Sequence, residues 1–411
     1  MKSVVYSLLA TFTLSATSAT DWLQWRGPSG QNYAVGNHTG LPIDWSASDN
    51  VLWRAEVPGR GHSSPILVGD RLFLTSADEE TGQQIAVCYD RASGDRLWAT
   101  ILHDGHLPKK IHKKNTHASP TPASDGEFVF ATFHSEDEIR LSALSFAGEV
   151  VWEIRVGDYH DRYNFGYGAS PILFDGTIIV VSEDRDAGFL AAFDRSDGSE
   201  VWRTPTGDNT SYSSPVIARA GGRDQLVLSG HKALRAWDPR TGRKLWETQV
   251  GPLATCGTPV WDDERIYFSG GFPNKESAAV TADGTVVWTN SRKAYEQSLL
   301  VHEGHVYCVD DGGIAYCWRA SDGEELWRER LDGGGPISAS PILVNGLIYV
   351  SMERGESFVF RADPAELEVL GTNRLGDSAF ASPVIADGKL FLRVGETNGA
   401  DYQEFLYCIG R

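Results

Sequence analysis

Positive charge is scarce in this 411-residue chain: 37 lysines and arginines stand against 55 aspartates and glutamates, a net charge of −18. That balance argues against general binding to a phosphate backbone, which needs a basic face, so no nucleic-acid partner is expected. Cysteine is sparse as well. Cys88, Cys256, Cys308, Cys317 and Cys408 are five in all, none next to another and none in a C-x-x-C pair. Cysteine metal sites, dithiol redox motifs and C-x-x-C-H haem attachment therefore have no support. Four of the five sit in apolar, strand-like runs and read as buried thiols. A Cys308–Cys317 bridge across neighbouring strands stays open as the other reading. No G-x-S-x-G elbow, H-E-x-x-H pair or P-loop is present, so the common hydrolase, zinc-protease and nucleotide signals are missing. Long apolar runs are missing too. The stretch 4–14 is too short to span a membrane, and no transmembrane segment is expected.

What the chain does have is repetition. A small hydroxyl residue followed by proline recurs at Ser64-Pro65, Ser119-Pro120, Ser170-Pro171, Ser214-Pro215, Thr258-Pro259, Ser340-Pro341 and Ser382-Pro383, with Ser298-Leu299 as a degenerate copy. A tryptophan closing a strand recurs at Trp53, Trp98, Trp152, Trp202, Trp246, Trp288 and Trp327, and Leu370 takes that place in the last copy. Most copies carry a glycine-containing turn before the tryptophan, as in YDRASGDRLW, FDRSDGSEVW and WDPRTGRKLW. Each turn lies between runs rich in β-branched and aromatic residues, a hairpin signal. A period of roughly 40–50 residues with four short strands per unit marks a β-propeller blade. Eight slots predict an all-β, eight-bladed propeller of four-stranded antiparallel blades. The last unit lacks its fourth strand, and the segment around 51–57 is a strand with no blade of its own. We expect the N-terminal strand to complete the C-terminal blade and close the ring, removing a free edge.

The D-x-x-[ST]-G-x-x-x-W turn and strand, with Ser-Pro opening the next blade, resembles the repeat of the pyrroloquinoline-quinone (PQQ) propellers. The resemblance runs over roughly residues 41–411. It implies the propeller fold, and it implies one of two kinds of function. The superfamily contains quinoprotein alcohol dehydrogenases, which hold PQQ and Ca²⁺ over the ring axis. It also contains non-enzymatic members such as the periplasmic scaffold of outer-membrane barrel assembly. The chain departs from the dehydrogenases in lacking adjacent cysteines, large blade insertions and a haem motif.

Residues 1–19 read as a secretory signal peptide: Lys2 starts it, 4–14 form its apolar core, and small residues precede a cut after Ala19. No cysteine sits near the cut for a lipid anchor. A periplasmic or secreted protein is expected, and a monomer. Residues 20–40 form a leader with Trp22, Trp25 and Tyr33. It is expected to strap onto the propeller wall, with Arg26 on a surface carboxylate. Residues 41–411 are the single propeller domain.

Short turns should fall on one face of the ring and the long connections on the other. Binding residues gather on variable loops held by a rigid scaffold, so the long-loop face is the candidate functional face. Two loops there are enlarged, 102–117 and 157–168. The first includes the basic run 109–114, read as a solvated loop or an anionic-partner contact. The second carries Tyr159, His160, Arg162, Tyr163, Phe165 and Tyr167, expected as an exposed aromatic patch. The residue three before each proline should point at the central opening: His62, His117, Gly168, Tyr212, Cys256, Glu296, Ser338 and Phe380. The ends of the second strands add Glu183, His231, Asp310 and Glu353, with Asp184 and Arg185 beside them. Such a set could ligate a metal or hold a polar ligand, and a water-filled channel is the plainest alternative.

The expectation drawn from these features is a non-catalytic binding or scaffold propeller of the cell envelope. It should take a protein or peptide partner on its long-loop face and hold no catalytic or metal residue and no cofactor. The alternatives are a quinoprotein dehydrogenase using PQQ and Ca²⁺, with Glu183 and Asp310 as candidate oxygen ligands, and a polysaccharide or cell-wall binder.

Overall fold

A computed structural model describes residues 21–36, 38–183, 185 and 187–411. The signal-peptide assignment and Asp184 lie outside the described residues. The described chain folds into eight four-stranded antiparallel sheets. We number them as blades 1 to 8, spanning 66–104, 123–158, 172–207, 216–249, 260–290, 300–330, 342–374 and 384–409. The expected closure is present. The strand Val51–Val57 pairs antiparallel with Asp401–Ile409, so blade 8 takes its outermost strand from the N-terminal side.

Burial within a blade follows from its sandwiched position. The second strand of blade 2, Phe128–Ser135, is buried along almost its whole length, because neighbouring blades cover both faces. The outermost strand of blade 3, Glu200–Gly207, alternates between exposed and half-buried residues, because one face meets water.

The recurrent tryptophan is an inter-blade lock. Each indole Nε1–H donates to a backbone carbonyl in the third turn of the next blade. The pairs are Trp53 to Arg91, Trp98 to Phe146, Trp152 to Arg195, Trp202 to Pro239, Trp246 to Ala282, Trp288 to Ala320 and Trp327 to Asp363, at 2.9–3.3 Å. The turn glycine belongs to the same lock. A methyl group at Gly94, whose φ is +77°, would sit 2.6 Å from the Trp53 ring. Glycine meets both demands, left-handed backbone and close approach.

Trp53, Trp98, Trp152, Trp288 and Trp327 also lean on an aromatic of their own blade's second strand, as Trp98 does on Phe73 and Trp288 on Tyr267. Blade 7 has Leu370 where the others have tryptophan. There Trp45, buried and ahead of the first strand, stacks at 12° on Tyr349 of that blade's second strand. Its backbone N–H donates to Asn373 Oδ1 at 2.7 Å. The indole that the repeat omits is thus supplied from elsewhere in the chain.

The hydroxyls of the Ser-Pro anchors form a second, inner ring. The backbone N–H of one anchor donates to the hydroxyl of the next, at 2.8–3.0 Å: Ser64 to Thr121, Thr121 to Ser170, Ser170 to Ser214, Thr258 to Ser298, Ser298 to Ser340 and Ser340 to Ser382. This ring corrects one assignment. Blade 2 reads Ser119-Pro120-Thr121-Pro122, and its anchor is Thr121-Pro122, two residues later than expected.

The leader does not lie on the outer wall. It crosses the short-turn face of the ring, bonding to the innermost strands as it passes. Trp22 pairs with Leu67 of blade 1, and Leu23 O accepts from Ser124 N of blade 2. Gln24 Oε1 accepts from Leu173 N of blade 3, and Asn32 O from Leu343 N of blade 7. Arg26 is not on a surface carboxylate. It is fully buried and donates to the carbonyls of Gln31 and Leu299, and burial pulls its pKa down to about 9.

All five cysteines are free. Cys308 is opposite Tyr316, while Cys317 is opposite Tyr307. The two thiols therefore point to opposite faces of blade 6 and pack into different cores, which removes the bridge.

Candidate functional site

The leader turns the central channel into a well that is closed at one end. Trp25 lines the well and donates from Nε1 to Thr258 Oγ1 at 3.0 Å. The hydroxyl ring surrounds the lower part, and the mouth opens among the long loops. The cavity measures about 420 Å³. That is within the usual range for a small-molecule site, which starts near ~300 Å³.

Eight mouth positions line it, one for each blade: His62, Ser119, Gly168, Tyr212, Cys256, Glu296, Ser338 and Phe380. Seven are those expected from the spacing. The eighth is Ser119 in place of His117, because the blade 2 anchor is displaced. His117 instead lies half-buried beside the well, its carbonyl accepting from Gln84 Nε2, and burial lowers its pKa.

Three sides of the mouth differ in chemistry. At blades 8 and 1, Phe380 and His62 stack at 4.5 Å and 7°. Burial, and then the charges of Arg60, Arg393 and Lys114, hold the His62 pKa well below its ordinary value, so the ring is neutral. Across the ring, at blades 3 to 5, Phe165, Tyr163, Tyr212 and Phe272 form a cluster with centroids 5.3–6.3 Å apart. His112 packs edge-on to Phe165. Tyr212 donates its hydroxyl to Asp161 Oδ1 at 2.7 Å, and burial together with that carboxylate pushes its pKa up. Burial, aided by Glu296, pushes the Cys256 thiol up too, so it is not a thiolate nucleophile.

The third side, at blades 6 and 7, is charged. Lys114 reaches across the mouth from the enlarged 102–117 loop. Its ammonium lies 2.8 Å from Glu296 Oε2, 3.0 Å from Glu296 Oε1 and 2.7 Å from Glu353 Oε1. Ser338 Oγ lies between the two carboxylates, hydrogen-bonded to Glu296 and, at 2.7 Å, to Glu353. Burial opposes the charge on Lys114, but the hydrogen bonds it donates to Glu296 and Glu353 outweigh that and raise its pKa. The basic run is therefore not simply solvated: its last member is tied into the mouth.

The other expected site residues are dispersed. Tyr159 and Tyr167 are buried in the core of blades 2 to 4, and Tyr167 donates to Val181 O. The loop is consequently not an exposed aromatic patch. Arg162 is exposed and pairs with Asp208, and the His160 carbonyl accepts from Arg185 N at 3.3 Å. Glu183 is locked at 2.6 Å to Arg235, both side chains buried. Asp310 serves a tight turn, accepting from Gly312 N, Ile314 N and the Tyr316 hydroxyl. The N–H of His231 donates to the Thr210 and Leu253 carbonyls in another turn. Trp25, His112, Lys114, Asn115, Phe272 and Tyr295 line the well without having been expected at the mouth. No group of three or more histidine, cysteine or carboxylate side chains suited to a metal occurs among the described residues.

The sequence model of one family, described as outer membrane protein assembly factor BamB, matches residues 15–99, 81–274 and 274–370. The outer membrane protein assembly factor BamB of Burkholderia pseudomallei (strain K96243) is 23% identical over 353 residues, covering 75% of this chain and 87% of that one. The crystal structure of BamB from Moraxella catarrhalis superposes with a TM-score of 0.61 at 15% identity, covering 87% of this chain and 96% of that one. A quinohemoprotein alcohol dehydrogenase from Comamonas testosteroni superposes with a TM-score of 0.69 at 11% identity, covering 96% and 81%. At these identities the two solved structures establish the fold alone.

Proposed function

The chain belongs to the outer membrane protein assembly factor BamB family, and from that premise we propose that it is an exported, non-catalytic scaffold of the cell envelope that takes a protein partner on its long-loop face. The family match along most of the chain carries this reading. The rim of the mouth supports the choice of face. Phe272 is 37% exposed there, beside the half-buried Tyr163 and Phe165. Aromatic side chains that keep contact area open at a rigid rim are common anchors of protein interfaces. The scaffold itself is rigid by construction, being closed by Val51–Val57 and tied blade to blade through indoles and hydroxyls.

The lining of the well suits PQQ with Ca²⁺ poorly. Such a quinone carries several carboxylates and needs cationic partners. Lys114 is already engaged by two glutamates. Glu183 and Asp310, the oxygen ligands expected for the cation, are committed to Arg235 and to a turn on separate blades.

The test is photo-crosslinking in cells that produce the protein. A photoreactive residue is placed at Phe272 or Tyr163 on the rim, and at Val151 or Val201 on outer strands as comparison. Protein adducts at the rim positions support the reading. Adducts confined to the outer strands, or none at any position, overturn the choice of face.

A further inference from the structure

On the side of blades 6 and 7 the mouth of the well is short of positive charge. Two carboxylates, on side chains only 23% and 13% exposed, share the one ammonium of Lys114. Ser338 has a single hydroxyl proton to offer the pair. His62 adds no charge, since it is held neutral. Partly buried carboxylates without full compensation are costly. They favour a further cation, or a better placed one, in the same position.

The rest of the mouth suits an organic cation more than a hydrated ion. Blades 8 and 1 lie opposite blades 4 and 5 in the ring. The stacked pair His62–Phe380 therefore faces the cluster of Phe165, Tyr212 and Phe272 across the opening. Aromatic faces attract ammonium and guanidinium groups, most strongly when water is excluded. Aromatic rings thus line the space on both sides, and the carboxylates sit to one side of it. Lys114 already places an ammonium at that point from the long connection 105–122 between blades 1 and 2. It acts as an internal occupant that a ligand would displace.

We propose that the well binds a small organic ammonium with a flat apolar body, the amine on Glu296, Glu353 and Ser338 in place of Lys114 and the body between the aromatic walls. The inference does not rest on the scaffold reading. The well retains this chemistry whatever protein docks at the rim, and either reading can fail alone. The ammonium could come from a free amine or from a lysine side chain of a docking peptide.

The probe is phenethylammonium, with 3-phenylpropionate as its anionic counterpart, titrated into the folded protein by calorimetry and by the fluorescence of Trp25 against a Trp25→Phe background. Phenethylammonium should bind at least about tenfold more tightly than 3-phenylpropionate. Lys114→Met should strengthen its binding at least about tenfold by removing the competitor, and Glu353→Gln should weaken it by a similar factor. If Lys114→Met folds poorly, phenethylammonium should raise its melting temperature by more than it raises the parent's. A lysine-containing tetrapeptide and its acetyl-lysine form separate the two sources. Binding by the free lysine form but not by phenethylammonium assigns the site to a peptide side chain, and the reverse assigns it to a free amine. Equal binding of the anion, indifference to Glu353→Gln, or no binding of amine or lysine peptide at about 10 mM to either parent or Lys114→Met overturns the proposal.

Discussion

Removing the guanidinium of Arg393 should loosen the ring at its closing seam. Arg393 belongs to blade 8, and its side chain is 1% exposed. Nε donates to Glu404 Oε2 at 2.7 Å within the blade. Nη1 and Nη2 cross to blade 1, reaching Thr75 O at 2.8 Å, Ser63 Oγ at 3.2 Å and Ser76 Oγ at 3.1 Å. Arg393→Met keeps most of the apolar stem but leaves Glu404, 4% exposed, without its counter-charge. Breaking one partner of a buried pair costs about 3–5 kcal/mol. For roughly 390 folded residues the unfolding entropy is about 0.8 kcal/mol/K, so the melting temperature should fall by about 4–6 °C. Arg54 provides the control at the same seam. It pairs with Glu396 with side chains 42% and 31% exposed, and Arg54→Met should cost about 1 kcal/mol or less, about 1 °C. Replacing both partners, Arg393→Met with Glu404→Leu, should recover part of the loss, because no buried charge is stranded. Scanning calorimetry of the four proteins decides the matter. An Arg393→Met protein that melts within about 1 °C of the parent, or together with Arg54→Met, would refute the assignment of the seam to this pair.

Trp45→Ala should cost about 3–5 kcal/mol, measured by denaturant titration, since the indole is buried against Tyr349 and fills the place of the tryptophan that blade 7 lacks. A loss under about 1 kcal/mol would show that Leu370 suffices there. Stability should also decline in mild acid. Burial holds the His134 pKa down to about 4, from 6.5. Above pH 6.5 the ring is neutral in both states and contributes no pH dependence. As pH falls from 6.5 towards 4, the unfolded chain takes up a proton that the folded one does not, and up to about 3 kcal/mol is lost. Melting curves from pH 7 to pH 4 should be flatter in His134→Phe than in the parent. Parallel curves would show that His134 is not the group responsible.

The ring was legible because each blade must solve the same problem twice. Trp98, Trp202 and Trp288 recur since each must reach a carbonyl on the next blade, and Gly148, Gly242 and Gly323 recur since only glycine fits beneath those rings. Where a solution came from outside the repeat, the pattern went silent. Trp45 precedes the first strand and gives no sign that it serves blade 7, more than 300 residues away. The path of the leader was hidden for a related reason. Gln24, Asn32 and Arg26 read as polar surface residues, yet they satisfy backbone groups beneath a channel whose floor exists only once the ring has closed.

The candidate site depends on register more than on composition. In Ser119-Pro120-Thr121-Pro122 either dipeptide matches the anchor, and the hydrogen bonds from Ser64 N to Thr121 Oγ1 and from Thr121 N to Ser170 Oγ select the second. A shift of two residues exchanges His117 for Ser119 at the mouth. With His117 there, two histidines, a cysteine and a carboxylate would look like metal ligands. With Ser119, the one histidine among the eight inner positions is stacked and neutral, and the cysteine is protonated. What remains is two carboxylates, one borrowed ammonium and two aromatic walls. Lys114 could not have been placed from its neighbours, because a run of lysines in an acidic chain reads as a solvated loop until Glu296 and Glu353 arrive from blades 6 and 7. The chemistry of the mouth thus belongs to no single repeat. It appears when the loop between blades 1 and 2 closes over the far side of the ring, so the variants at Lys114 and Glu353 test the site without disturbing the indole and hydroxyl contacts that hold the blades together.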